Sequence, residues 1–152
     1  MANTQAMCTS FMGELLTGTH NFTTGTGDSF KAALYLSSAT VNAATTVYSA
    51  TGEVSGSGYT AGGVAVTNGT SPLSSNTSAT AGTAYWTPSA SIVYTSVTLT
   101  TAFNCLLLYN TSKTNKAVSV HTFGDQTITA GTFTLTIPTN STATALLRLA
   151  TT

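Results

Sequence analysis

Charge is what this chain has least of. Among 152 residues there are four Lys or Arg and four Asp or Glu, 5% in all, against roughly 25% in an ordinary soluble domain. The net charge is zero at neutral pH, so no long-range field draws in nucleic acid or an anionic membrane. Lys113 and Lys116 are isolated and form no basic cluster. Neither nucleic acid nor membrane is therefore expected as a partner. A surface with so little like-charge repulsion also has little to hold copies apart. Cysteine is nearly as scarce: Cys8 and Cys105 lie far apart in sequence and read as two buried thiols in a reducing compartment rather than as a bridge. Long apolar runs are missing too. The longest, residues 105–109, is strand-sized and far short of the roughly 18 residues that span a bilayer. The first residues show no basic region followed by an apolar core, so no secretory leader is expected.

Catalytic equipment is equally thin. The two His, two Cys and four carboxylates never fall at a metal-ligand spacing such as C-x-x-C or H-x-x-x-H, and no metal or cofactor is expected. Ser119, His121 and Asp125 are close in sequence, and Ser119 and His121 would share one face of a strand. No nucleophile-elbow motif accompanies them, so His121 reads as a hydrogen-bonded sheet residue. The segment 56–61 matches a relaxed dinucleotide fingerprint, but a strand start follows it where the chemistry needs a helix N-terminus. These readings point away from an enzyme.

What the chain does have is Ser and Thr, about a third of all positions, with Gly, Val and Tyr between them. That mixture favours strands and turns. Residues 5–16 carry the one helical pattern: Met7, Phe11 and Leu15 recur at spacing four, with Cys8, Met12 and Leu16 beside them. Asn3 or Thr4 would cap it and Gly18 would end it. Strands are expected at Phe30–Leu36, from Val64, at 84–86, 91–100, 104–109 and 117–123, and at 146–149. A hairpin is expected over 126–137, turning at Ala130-Gly131. Residues 104–109, apolar nearly throughout, should be central and buried on both faces. The glycine-dense loop 55–63 needs residues at positive φ or against another backbone, and Glu53 beside it would accept backbone or Tyr hydrogen bonds that pin it. Residues 67–83, of low complexity, read as a flexible polar loop.

Together these give one all-β domain over 1–152, an antiparallel β-sandwich of jelly-roll type. Residues 1–18 form its short amphipathic N-terminal helix or arm. Tyr48, Tyr59, Tyr85, Trp86 and Tyr94 would serve as core and subunit interface, or as a carbohydrate-stacking face.

Several stretches resemble a known family. They are 3–8 (NTQAMC), Phe30–Leu36 (FKAALYL), 48–64 (YSATGEVSGSGYTAGGV), 117–124 (AVSVHTFG) and 129–133 (TAGTF). Together they resemble small virion structural proteins of tailed bacteriophages, over nearly the whole chain, with the glycine-loop segment the most specific part. The resemblance implies a virion component without enzyme activity, best fitting a capsid decoration (cement) protein. Such proteins bind the major capsid protein on the outer surface of the head, often as homotrimers, after assembly in the host cytoplasm. The candidate interface residues are Met7, Phe11, Leu15, Glu53, Tyr59 and Trp86, from the N-terminal helix, the glycine loop and the aromatic set. A tail or head–tail connector component and a host- or glycan-binding module are the alternatives.

Overall fold

A strand that is apolar on both faces must lie between two layers of structure. Phe30–Leu36 and the stretch 105–109 are of this kind, and they lie side by side at the centre of the molecule. The computed structural model describes residues 2–77 and 80–151. Its elements are β1 (Ala6–Met7), α1 (Thr9–Leu16), β2 (Phe30–Leu36), β3 (Val64–Val66), β4 (Leu73–Thr77), β5 (Thr80–Trp86), β6 (Ile92–Asn110), a 3₁₀ turn (Thr111–Lys113), β7 (Lys116–Leu135) and β8 (Leu147–Ala150). With 46% of residues in strands and 8% helical, the fold is the expected antiparallel all-β sandwich with one short helix.

Five strands in the order β1-β7-β6-β2-β3 make the larger sheet, and β4-β5-β8 make the smaller one. Every pairing is antiparallel. Leu106, Leu107 and Leu108 of β6 are fully buried, flanked by Ala32, Ala33 and Leu34 of β2 and Val118 and Val120 of β7. An aromatic chain joins the two sheets. Phe22 stacks on Phe30 of β2 with ring centres 4.4 Å apart and meets Trp86 of β5 at 4.8 Å. Both thiols are buried and free, as expected.

Five local expectations are corrected. The helix starts at Thr9, not near residue 5, because Ala6 and Met7 pair with Val120 and Ser119 as β1. That pairing satisfies backbone groups which a first helical turn would leave open. Cys8 occupies the N-cap without a side-chain bond. Asn3 ties the N-terminal segment to the sheet instead: it accepts from the Val41 amide (3.0 Å) and donates to the Leu36 carbonyl (2.9 Å) and to Asn104 Oδ1 (2.7 Å). Gly18 does end the helix, at φ +67°, its amide donating to the Leu15 carbonyl.

Residues 126–137 are no hairpin. β7 runs unbroken through Ala130-Gly131 and pairs along its length with an equally continuous β6, where separate strands at 91–100 and 104–109 were expected. Ser96 (φ +53°) and Ala130 (φ +45°) lie in two successive bulges of this pair, on either side of the Val97–Gly131 pairing. The turn-like residues bend the ribbon rather than reverse it. Residues 67–83, read as a loop, include β4 and the start of β5, with Leu73 opposite Tyr85 and Ser75 opposite Thr83. Thr and Ser take extended backbone readily, so composition alone hid this pair.

Candidate subunit interface

Most of the few charges are engaged within the chain. Lys116 Nζ donates to Glu14 Oε1 (2.5 Å), and Glu14 Oε2 lies 2.7 Å from His20 Nε2. His20 Nδ1 meets Asn110 Nδ2 at 2.8 Å, and that same amide group donates to Asp28 Oδ2 (2.8 Å). Asn110 Oδ1 accepts from the Ser112 amide (3.0 Å), which fixes the orientation of its carboxamide. His20 Nδ1 is therefore an acceptor, and its Nε2 carries the proton that goes to Glu14. Burial raises the Glu14 carboxyl, but the bonds from Lys116 and His20 outweigh it and hold the group below the usual carboxylate range. Asp28 behaves alike: burial is outweighed by Asn110, the Asn21 amide and Lys113. This network joins α1, the following loop and the β6–β7 connection.

Glu53 anchors a second network. Its Oε1 accepts from Tyr59 Oη (2.6 Å) and the Gly62 amide (2.7 Å), and its Oε2 accepts from Tyr48 Oη (2.6 Å). Tyr59 Oη in turn accepts from the Leu34 amide of β2 (3.0 Å). Tyr109 donates to the Gly62 carbonyl and Tyr94 to the Ala32 carbonyl, both at 2.7 Å. Burial first, then the Glu53 carboxylate, pushes the Tyr59 and Tyr48 hydroxyls well above the usual phenol range, and Tyr109 to about 12. The loop they hold lies against strand backbone. A Cβ on Gly58 would collide with the Ser96 carbonyl, and one on Gly63 with that of Ala32, while both glycines hold positive φ. The pinning role read for Glu53 is the one it has.

The six candidate contact residues fall into two separate places. Glu53 and Tyr59 belong to the loop network, with Glu53 only 9% exposed. Met7, Phe11, Leu15 and Trp86 converge on an apolar cleft of about 100 Å³ between α1 and the smaller sheet. Ala84 and Trp86 on β5 and Leu147 and Leu149 on β8, paired across the ladder, supply its sheet side, and Phe22 also lines it. Phe11 and Trp86 are 2% and 3% exposed. They are core residues that floor the cleft and face outward only through it. Trp86 Nε1 also donates to the Thr70 carbonyl (2.9 Å). Tyr94 is buried as well.

The exposed apolar groups beside this cleft were not singled out from sequence. Leu16 is 90% exposed, Leu149 46% and Met12 44%. A signal was there in the second stripe: Cys8 is buried at the helix start, but Met12 and Leu16, which follow it at spacing four, are exposed, while Phe11 and Leu15 line the cleft.

Ser119 Oγ lies 2.8 Å from His121 Nε2. Asp125 is engaged elsewhere, accepting from Ser37 and Asn104 at 2.9 Å. Ser119 is buried against β1, and burial pushes His121 down to about 4. The pair is a sheet hydrogen bond without an acid to orient it. Among the described residues no group of three His, Cys, Asp or Glu gathers as a metal site, and no helix is long and apolar enough to cross a membrane. Comparison with protein-family models, curated proteins and solved structures gave no match.

Proposed function

We propose that this chain is a structural subunit of a tailed-phage virion, a capsid decoration protein that binds the major capsid protein and stabilises the head. In this reading it has no catalytic role, sits on the outer capsid surface and associates with itself, as a trimer in the manner of the proteins it resembles. The observation that carries the reading is where the charges go. Glu14, Asp28, Glu53, Asp125, Lys113 and Lys116 are all engaged by groups of the same chain. What remains outside is largely Thr, Ser, Gly and Ala with exposed leucines, a surface suited to being covered. Attachment would rest on apolar contacts and neutral hydrogen bonds and so be insensitive to salt.

Quantitative mass spectrometry of purified virions, scaled to the major capsid protein, tests this. A copy for every capsid subunit, retained through a high-salt wash, is the expected result. A trace amount would move the chain to the tail or connector, and absence would overturn the proposal.

A further inference from the structure

We infer that the cleft beside α1 is filled by Leu16 of a second copy of this chain. The cleft is already built: its floor is the buried Phe11 and Trp86, and about 100 Å³ of space lies above them. That is less than the roughly 150 Å³ cavity that takes up a benzene ring, so it suits one aliphatic side chain. Leu16, at 90% exposure, is the large apolar side chain left most open among the described residues. It directly follows Leu15, which lines the cleft.

Three observations select another copy of the chain as the occupant. The size of the hole matches the knob that the same helix offers. Neither side carries charge: all the lining residues are uncharged, and the helix's only charge, Glu14, is held inward by Lys116 and His20. An uncharged knob therefore enters an uncharged hole without stripping water from an ion. The helix that carries the knob also forms one wall of the hole, so each copy can give and receive the same contact, as closed symmetric assemblies require. Met12 on the same helix and Leu149 in the cleft wall, both partly exposed, would extend the contact beyond a single side chain. Burying one leucine contributes enough for at least a tenfold change in association.

The inference deepens the reading of the chain as an assembly subunit, but its test stands apart from virion composition. Sedimentation equilibrium of the purified full chain, compared with Leu16→Asp and with Ala84→Phe, reads it directly. Ala84 is an exposed residue on the sheet side of the cleft, so Phe there fills the hole while Leu16→Asp removes the knob. The wild-type chain is expected to form a species of two or three copies in the micromolar range, and both variants to associate at least tenfold more weakly. Their circular dichroism should be unchanged, because both positions are exposed. A wild-type chain that stays monomeric at about 100 μM would overturn the contact, as would a Leu16→Asp chain that assembles like wild type. A chain abundant in virions yet monomeric in solution sinks this contact alone. A self-associating chain absent from virions sinks the decoration reading alone.

Discussion

Tyr59 and Leu16 both belong to segments that the sequence marks as contact-forming, yet the fold treats them in opposite ways. Tyr59 has its hydroxyl on a buried carboxylate and its ring 5.8 Å from that of Tyr94, within a network that ties the loop to β2. Leu16 stands 90% exposed at the end of a helix whose preceding residue is packed. Around the glycine loop, polar groups have been drawn inward and satisfied. Around the smaller sheet, apolar groups have been left uncovered. β8 shows the second pattern plainly: Leu147 is buried and the three residues after it are exposed. Low charge thus has two different structural outcomes in one chain, and only the second leaves something for a partner to complete.

Substitutions can break or sharpen this contrast. The largest effect belongs to the central sheet: Leu107→Ala, at a fully buried position, should cost about 2–5 kcal/mol in urea unfolding, whereas Leu16→Ala should change stability by no more than about 0.5 kcal/mol. Comparable losses at the two sites would erase the distinction. Next comes Glu53→Ala, which strands two tyrosine hydroxyls and the Gly62 amide. It should cost about 3 kcal/mol, with Glu53→Gln recovering part of that, while self-association of the folded fraction is unaffected.

Acid gives a smaller effect. Glu14 and Asp28 are held below their ordinary values of 4.5 and 3.8 in the folded chain. The stability they contribute is therefore present above those values and is lost as pH falls below them toward the depressed folded values. Both carboxylates and their lysine partners are partly exposed, so each should account for less than about 1 kcal/mol. Thermal melts of Lys116→Ala between pH 3 and 6 should show a flatter acid limb than wild type. The smallest change is Leu149→Ser, expected to leave unfolding within about 0.5 kcal/mol of wild type while weakening any association that covers the cleft.

Much of the fold was legible because local pattern and final environment agree. The two-faced apolar run at 105–109 became the last stretch of β6, the middle strand of the larger sheet, β2 kept its limits, and Glu53 beside a glycine-dense loop became its anchor. Errors arose where a local signal was outvoted by a distant strand. Met7 looks helical by spacing, but the edge of β7 claims it. Ala130-Gly131 looks like a turn, but β6 supplies a continuous partner that turns it into a bulge. The His20–Asn110 contact spans 90 residues and no sequence pattern announces it. At the site, the helix stripe placed Met7, Phe11 and Leu15 on one face correctly. Periodicity could not say that Phe11 would be floor and Leu16 would be knob, since that depends on where the smaller sheet ends.

The pairing of Met7 with Ser119, of Phe30 with Asn110 and of Trp86 with Leu147 has a consequence for how the chain is made. On the ribosome neither sheet can close until residues far downstream have emerged, and β2 must wait for β6 with both its faces apolar. Folds dominated by such distant pairings reach the native state in milliseconds to seconds. During that interval the nascent chain has almost no charge to keep it from its neighbours. Soluble yield on overexpression should therefore follow the rate of synthesis and the growth temperature more closely than the stability of the finished protein.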